Sequence, residues 1–226
     1  MADRPRRRIV RHDEDMLVIG LGRFGGRLAL ELMDLGHEVL GVDADPDIVQ
    51  RFAPLLTKAM TADTTRPEVL EQLGAAQFNH VVVGVGDVEA SILTVAELVD
   101  LGVRDVWAKA VTIAHKRILE KVGASHVVLP EHDMGRRIAH QVTGKVVDYI
   151  ELEDGFALVE TGVPPALWGK TLAEADVRAT YGVTVVLVKA PGGTFAYATP
   201  DSLLAEGAVV LVAGDVKEVE AFAEDT

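Results

Sequence analysis

The sequence contains no cysteine, few aromatic residues and no long hydrophobic run. The absence of cysteine excludes disulfides, thiolate metal sites and cysteine nucleophiles. Aromatic residues make up 5% of the 226 residues although 49% are hydrophobic, so a buried core must be mainly aliphatic. Apolar runs such as AVVLVA at 208–213 are far shorter than the roughly 20 residues of a membrane-spanning helix. The composition therefore predicts an aliphatic globular protein of one or two domains that does not cross a membrane.

Charge is distributed unevenly along the chain. The net charge is −13, but residues 1–11 hold five arginines against Asp3 and carry +4, so the remainder carries −17. An acidic body repels phosphate backbones, which argues against DNA or RNA as the main partner. No apolar stretch follows the tail, so it is not a secretory signal, and we expect a cytoplasmic protein. We expect residues 1–14 to be a basic, disordered tail, although such an arginine cluster can also contact an anionic surface.

Short aliphatic runs alternate with helical patterns in the first part of the chain. Val88, Ile92, Val95 and Val99 line one face of a helix at spacings of three and four. Continuous aliphatic strands alternating with helices are typical of a parallel sheet covered on both sides. Six such units fill about 15–130 and predict an α/β, Rossmann-like doubly wound sheet. A last helical stretch is predicted from about Asp133 to Thr143, and the domain over 15–145.

The pattern changes from Val146 onward. The segments VVDYIEL, FALVETGV, VTVVLVKA, TFAYAT and AVVLVAG resemble strands without regular intervening helices, and the PGG at 191–193 is a turn signal. The segment DVKEVEAFA predicts a short closing helix. The sequence therefore predicts a second, small α+β domain over 146–226. A domain of this size is marginally stable alone, so pairing with a second copy is expected.

The stretch VIGLGRFGGRL contains a G-x-G-x-x-G pattern. Gly20, Gly22 and Gly25 follow the strand-like MLVI and open a predicted helix that ends near Leu35. In this context Gly20 permits a tight turn, Gly22 lets the backbone approach a pyrophosphate, and Gly25 lets helix and strand pack closely. The phosphates would lie at the helix N-terminus. The pattern indicates a nucleotide-binding loop, with a plain glycine turn as the alternative.

Acidic and basic side chains complete this prediction. Asp43, at the end of the predicted second strand, can accept hydrogen bonds from ribose hydroxyls and would repel a 2′-phosphate, which disfavours NADP. Arg23 adds a positive charge that suits a ligand with more phosphate charge, such as ATP or ADP, unless it pairs with a nearby carboxylate. Further polar candidates follow other predicted strands, and a helix cap or a solvated loop is the alternative for each: Asp45, Asp63, Thr64, Val85, Gly86, Asp87 and Lys109.

Features of an enzyme are absent from the sequence. There is no H-E-x-x-H, no G-x-S-x-G and no Walker lysine loop. The predicted second domain has no histidine, because all seven lie in the first 140 residues: His12, His37, His80, His115, His126, His132 and His140. An oxidoreductase would need an acid–base group beside the nicotinamide. The sequence therefore favours a binding protein without catalytic residues.

Several motifs in order resemble a known family. They are GLGRFGGRLA, the acid pair Asp43 and Asp45, ADTT at 62–65, VWAKA at 106–110, ILEKVGA at 118–124 and PEHDMG at 130–135. Together they resemble the RCK (regulator of potassium conductance) family, and within it the cytosolic regulatory subunits of Ktr/Trk potassium uptake systems. The stretch VRATYGVTVVLVK at 177–189 is similar to the C-terminal RCK domain.

The resemblance implies a function and an assembly. Such proteins form homodimers that assemble into octameric rings and dock on the cytoplasmic face of a membrane potassium-translocating subunit. ATP favours the active assembly and ADP the inactive one, and some members bind NAD(H). The implied nucleotide site comprises Gly20, Gly22, Arg23, Phe24, Gly25, Asp43, Ala44, Asp45, Asp63, Thr64, Val85, Gly86, Asp87, Lys109, Ala110 and His115.

Two further ligands follow from the resemblance. Glu131 matches a carboxylate that helps to hold a cation, Mg²⁺ or Ca²⁺, near the terminal phosphates at a subunit interface, and an acid favoured by a helix N-terminus is the alternative. Arg178 is a candidate phosphate contact for cyclic di-AMP.

Two other functions remain open on the sequence alone. The main alternative to a nucleotide-sensing regulator is an NAD-dependent oxidoreductase with a Rossmann domain. A redox-sensing DNA repressor would need a basic recognition helix, which an acidic body with one arginine-rich tail does not supply.

Overall fold

The computed structural model describes residues 15–142 and 146–226. This part of the chain forms two compact units, of which the first extends to Glu131 and the second begins at His132. The basic tail of residues 1–14 and Thr143, the predicted last residue of a helix, lie outside the described residues. In the ranges 15–142 and 146–226, no helix is long and apolar enough to cross a membrane.

The first unit is built on a parallel sheet with the strand order β3-β2-β1-β4-β5-β6. The strands are β1 (Met16–Ile19), β2 (Val39–Asp43), β3 (Lys58–Thr61), β4 (His80–Val83), β5 (Asp105–Lys109) and β6 (His126–Val128). The helices are α1 (Arg23–Asp34), α2 (Pro46–Phe52), α3 (Pro67–Leu73), α4 (Val88–Asp100), α5 (Ile113–Val122) and α6 (Pro130–Val142), the last continuing into the second unit. This order is that of a Rossmann fold and confirms the predicted fold class.

Burial explains the aliphatic strands of this sheet. All four residues of β1 are buried, because helices cover both faces of a parallel sheet. The predicted helical face of α4 is only partly buried: Val95 is fully buried, Ile92 and Val99 are half-buried, and Val88 is exposed. Asp87 caps α4 by accepting a hydrogen bond from the Ala90 amide at 2.9 Å, so the polar residue after β4 also defines where the helix begins.

The second unit contains an antiparallel sheet with the strand order β10-β9-β11-β8-β7. The strands are β7 (Val146–Glu151), β8 (Phe156–Gly162), β9 (Thr184–Lys189), β10 (Phe195–Tyr197) and β11 (Val209–Asp215). The helices are α7 (Leu172–Ala175), α8 (Val177–Tyr181) and α9 (Val216–Glu224). The α+β prediction is therefore confirmed.

The core of the second unit lies on one side of its sheet. Buried and half-buried residues alternate along β11, and Phe222 of α9 is fully buried against this face. Tyr181 packs edge-to-face on Phe222, with ring centroids 5.0 Å apart. The indole N–H of Trp168 donates to the Val163 carbonyl at 2.9 Å, which fixes the chain after β8.

Two features of the helices differ from the sequence prediction. Helix α6 begins at Pro130 rather than near Asp133, because proline is preorganised for the first helical position. Helices α7 and α8 lie between two predicted strands, where the sequence analysis expected no regular helix. A capping box between Thr171 and Glu174 starts α7, and this local pairing was not recognised in the sequence.

Ion pairs within the second unit attach α6 to β7. Arg137 donates two hydrogen bonds to the carboxylate of Asp148, at 2.7 and 2.6 Å, and Arg136 pairs with Glu151. The hydrogen bonds from Arg137 hold the pKa of Asp148 below its usual value. His140 also stacks on Tyr149, with ring centroids 4.2 Å apart. The third turn of α6 is therefore fixed to the edge of this sheet.

Candidate nucleotide-binding site

A cleft of about 240 Å³ opens at the carboxyl ends of strands β1 to β4. This is the point where the strand order reverses between β1 and β4, the usual ligand site of an open α/β sheet. Eight residues predicted from the sequence line the cleft: Gly20, Gly22, Asp43, Ala44, Asp63, Thr64, Val85 and Gly86. The fold therefore brings half of the predicted nucleotide site together in one concave surface.

Close backbone packing forms the floor of the loop. Gly20 has φ +86°, a left-handed conformation that favours glycine. A Cβ on Gly25 would lie 1.9 Å from the Gly20 carbonyl oxygen, so only glycine fits there. Gly25 is buried beneath the loop rather than lining the cleft, and it lets α1 pack directly against β1.

The N-terminus of α1 faces open space. The N-cap residue is Gly22, which has no side chain to accept hydrogen bonds from the first-turn amides, and the first turn contains no acidic residue. A Cβ on Gly22 would meet nothing within 4 Å. Uncapped amides at a helix N-terminus attract anions through their N–H groups and the helix dipole. This end of α1 is therefore suited to a phosphate group.

Asp43 lines the cleft and also accepts a hydrogen bond from the glycine loop. Its Oδ2 accepts a hydrogen bond from the Leu21 amide at 2.7 Å, and its Oδ1 accepts one from the Asp45 amide at 2.9 Å. Each oxygen keeps a further lone pair for a ligand hydroxyl. The carboxylate thus fixes the glycine loop relative to the β2–α2 turn in addition to its predicted role toward ribose.

A second polar wall follows β3. Oδ1 of Asp63 accepts hydrogen bonds from the Thr65 hydroxyl at 2.7 Å and the Thr65 amide at 3.1 Å, and these bonds lower the pKa of Asp63. The hydroxyl of buried Thr64 lies 3.2 Å from that of Thr94 on α4. Asp63 therefore presents a preorganised, ionised carboxylate, whereas Thr64 also ties the wall to the helix behind it.

Four predicted residues, Arg23, Phe24, Asp45 and Asp87, lie outside the cleft lining. Arg23 is exposed at the start of α1. Phe24 faces a separate apolar groove on the other side of α1. Asp45 caps α2 by accepting a hydrogen bond from the Asp47 amide at 2.8 Å, and Asp87 caps α4. Both aspartates therefore have the capping role that the sequence left open as an alternative.

Lys109 and Glu131 form an ion pair at the end of β5. Nζ of Lys109 donates to Oε1 of Glu131 at 3.0 Å, and the lysine side chain is only 11% exposed whereas that of Glu131 is 65% exposed. The hydrogen bond from Lys109 lowers the pKa of Glu131, and the positive charge of Arg23 acts in the same direction. The Glu131 carboxylate thus lies in the electrostatic field of two basic side chains, Lys109 and Arg23.

His115, predicted for the nucleotide site, is buried near the start of α5. Its Nδ1 accepts a hydrogen bond from the Val111 amide at 3.3 Å, while Nε2 has no partner among the described residues. Burial lowers the pKa of His115. This side chain and the fully buried Ala110 support the loop after β5 and do not line the cleft.

Comparison with known proteins identifies the family of the chain. The TrkA-N domain model matches residues 16–130, and the TrkA-C domain model matches residues 157–225. The chain belongs to the RCK (TrkA-N/TrkA-C) family.

Relatives in this family extend over nearly the whole chain. Ktr system potassium uptake protein C of Bacillus subtilis (strain 168) is 38% identical over 211 residues, which cover 92% of this chain and 96% of that protein. Protein A of the same strain is 35% identical over 212 residues, covering 93% and 96%. Protein A of Vibrio alginolyticus is 37% identical over 188 residues, covering 79% and 86%. The chain is thus a homologue of the Ktr potassium uptake proteins.

Solved structures share the fold. The GsuK RCK domain matches with a TM-score of 0.51 and 24% identity over 94% of this chain, and the GsuK channel bound to NAD with 0.51 and 23% over 94%. The Kef C-terminal domain of Shewanella denitrificans in its AMP-bound form has a TM-score of 0.52 and 18% identity, covering 58% of this chain and 80% of that chain. The RCK chain described here spans 46% and 38% of the two GsuK chains.

Sequence reasoning missed several residues of the RCK cleft. Thr65 and Ala90 line it, together with Gly84, whose Cβ would lie 3.1 Å from the Gly20 carbonyl oxygen. Thr65 lies inside the ADTT motif, so that motif was the available signal. Ala90 carries no chemical signal in the sequence, and only the position of α4 reveals its place in the cleft.

A second polar cluster lies at the opposite ends of the strands. The Asp105 carboxylate pairs with Nδ1 of His80, accepts from the Trp107 indole N–H at 3.1 Å and lies 3.5 Å from Nε2 of His126. Burial acts to raise the pKa of Asp105, but the hydrogen bonds from His80 and Trp107 outweigh it and hold the pKa below its usual value. Asp105 and His80 begin their strands, so the cluster cannot reach a ligand in the cleft.

The remaining two predicted sites are incomplete within one RCK chain. In the part of the chain that the structure describes, no group of three His, Cys, Asp or Glu side chains could hold a metal ion. Glu131 instead accepts from Lys109, so the residues of one chain do not fit a metal site by themselves. Arg178 is exposed on α8 in the second unit. Both assignments therefore stay predictions.

Proposed function

We propose that this chain is a nucleotide-sensing regulatory subunit that gates a membrane potassium transporter. The observation that carries the proposal is its homology with two Bacillus subtilis Ktr potassium uptake proteins, at 38% and 35% identity over more than nine-tenths of the chain. The cleft at the glycine loop supplies a site at which such a subunit can sense a ligand.

The ligand we propose is ATP or ADP, with NAD(H) as a second candidate. The uncapped α1 N-terminus suits phosphate, and Asp43 faces the cleft where a ribose would lie. NAD and AMP, named for the GsuK channel and the Kef domain, share the adenosine and α-phosphate of this proposal.

Regulation requires a difference between the two ligands. ATP and ADP share the adenosine and diphosphate contacts, and only differential interactions can shift a conformational equilibrium. Arg23 is exposed at the first position of α1, where a longer phosphate chain can reach its guanidinium. We therefore assign Arg23 the role of reading the terminal phosphate. Mg²⁺ or Ca²⁺ at Glu131 would need further ligands from phosphates or a second chain.

The proposed assembly is a homodimer that builds an octameric ring on the cytoplasmic face of the membrane subunit. Two apolar surfaces support self-association. One is a groove of about 610 Å³ in the first unit, lined by Phe24, Leu28 and Trp107 among others. The other is the exposed pair Met134 and Ile138, one turn apart on α6, a helix with no buried residue. Pairing between copies would remove both surfaces from water.

Calorimetry of the full chain against ATP, ADP, NAD and NADH, with and without magnesium, tests the nucleotide site. Light scattering in the same buffers tests the ring. We expect ATP and ADP to bind and the mass to correspond to eight chains. A persistent monomer without preference among these ligands would falsify the regulator, and steady turnover of NADH would favour the oxidoreductase instead. Cyclic di-AMP, titrated into the wild type and the Arg178→Ala variant, tests the second-unit ligand.

A further inference from the structure

The Lys109–Glu131 pair is asymmetric. The ammonium group of Lys109 is held in a largely buried setting, whereas the Glu131 carboxylate is mostly exposed. A buried cation needs an anionic partner, because losing one leaves an uncompensated charge. Glu131 supplies that partner at 3.0 Å. An exposed carboxylate can move into water at little cost, so it is the member of the pair that can be exchanged.

The position of the pair places it beside the phosphate loop. Lys109 ends β5, the neighbour of β4, whose following residues Val85 and Gly86 line the cleft. The charge of Arg23, at the first position of α1, reaches Glu131 and lowers its pKa. Glu131 therefore contacts Lys109 and lies within electrostatic range of Arg23, the residue to which we assign the terminal phosphate.

We propose that Glu131 is an internal substitute for the terminal phosphate, holding Lys109 until a nucleotide phosphate displaces it. The proposal rests on the proposed function and deepens it. The exchange conserves the charge balance of Lys109, because one anionic oxygen replaces another. The nucleotide phosphate must also compete with the Glu131 carboxylate for Lys109. The ion pair therefore lowers the nucleotide affinity by the free energy needed to break it.

Displacement has a structural consequence for α6. Glu131 is the second residue of this helix, whereas Arg136 and Arg137, further along it, are paired with β7. Release of Glu131 removes this ion pair with β5 and does not involve the later ion pairs. The same helix thus carries one contact that the ligand would release and others that it would not touch, as transmission of occupancy requires.

The test is calorimetry of ATP and AMP in EDTA with the full-length wild type and Glu131→Gln. We expect ATP affinity to rise about twofold to fivefold in the variant, the range typical of releasing one exposed ion pair. AMP affinity should stay unchanged because AMP lacks the outer phosphates. Glu120→Gln on α5 is the matched control, since it removes an equal charge from a carboxylate 3.9 Å from Lys116.

A double-mutant cycle separates displacement from simple repulsion. If Glu131 acts by holding Lys109, the gain from Glu131→Gln disappears in a Lys109→Met background, whereas direct repulsion of phosphate would preserve it. Unchanged or weaker ATP binding by Glu131→Gln in EDTA, or a gain that survives Lys109→Met, overturns the proposal that Glu131 substitutes for the terminal phosphate. If Glu131 acts only as a metal ligand, Glu131→Gln should weaken ATP binding in magnesium and leave it unchanged in EDTA. Wild type that binds no nucleotide in either buffer overturns the proposed function itself.

Discussion

In β1 of the first unit every residue is buried, whereas along β11 of the second unit buried and half-buried residues alternate. The first sheet is covered by helices on both faces, and the second has its core on one face only. A strand enclosed on both faces presents polar groups only at its two ends, and the cleft lies at the carboxyl ends. The first unit therefore concentrates its ligand chemistry at the carboxyl ends, while the second leaves a sheet face free for contacts.

The largest difference in stability between the units should follow replacement of a glycine by alanine. In Gly25→Ala the new methyl would lie 1.9 Å from a backbone oxygen that cannot move aside. We expect a loss of about 4 kcal/mol in the free energy of unfolding, above the usual range for overpacking. In Gly162→Ala of β8 the nearest atom would lie 3.5 Å away, an ordinary contact, so little stability is lost. Urea denaturation followed by circular dichroism measures both, and equal stabilities would contradict the packing at the loop.

Neighbouring strand residues should respond differently in the two sheets. Leu17→Ala and Val18→Ala should each cost about 2–4 kcal/mol, because both side chains are fully buried on opposite faces. Of the neighbours Val209 and Val210 in β11, Val210→Ala should be this costly, whereas Val209→Ala, at a half-buried position, should cost less than about 1 kcal/mol. Denaturation of the four variants checks this, and a costly Val209→Ala would show that the second sheet is covered on both faces in solution.

Removal of an arginine charge should affect ATP binding in the first unit and not in the second. Arg23→Ala should weaken ATP binding roughly tenfold, about 1.4 kcal/mol, and NAD binding less, because NAD lacks a terminal phosphate for the guanidinium. Arg178→Ala removes the same charge from the second unit and should leave ATP affinity unchanged. Calorimetry measures all three proteins. Equal losses of ATP and NAD affinity in Arg23→Ala would contradict the proposal that Arg23 recognises the terminal phosphate.

Acid should affect the first unit before the second. Burial lowers the pKa of His115, so the unfolded chain binds a proton that the folded chain refuses. Stability is then lost as the pH falls below about 6.5 toward the folded pKa of His115. Asp148, whose pKa is lowered by Arg137, loses its contribution only below its usual range near 4. Urea denaturation across this range checks the slope, which should be shallower in His115→Gln.

The sequence predicted the first unit well because its signals are local. The G-x-G-x-x-G pattern, the aliphatic runs and Asp43 each depend on neighbouring residues, and all three occupy the expected places in the fold. Helices α7 and α8 were missed because a capping box over Thr171 to Glu174 outweighed the strand-like surroundings. The hydrogen-bond pattern of Asp43 required the loop geometry itself.

Contacts between distant residues could not be predicted. Lys109 and Glu131 are 22 residues apart, and only the pairing of β5 with β6 brings them together. His115 was expected to line the nucleotide site, but its amide bonds to the Thr112 side chain and its ring is buried. Aspartates such as Asp45 and Asp87 have the same sequence signature whether they cap a helix or bind a ligand, and their neighbours in space decide between the two.

The chain has two tryptophans, and the fold assigns one to each unit. Trp107 stacks on His126, with ring centroids 4.1 Å apart, beside the apolar groove, whereas Trp168 is tethered through its indole nitrogen. Replacing either tryptophan with phenylalanine leaves a single tryptophan, so the fluorescence emission then reports on one identified unit. The protein thus carries a built-in pair of optical probes, one for self-association at the groove and one for rearrangement of the antiparallel sheet.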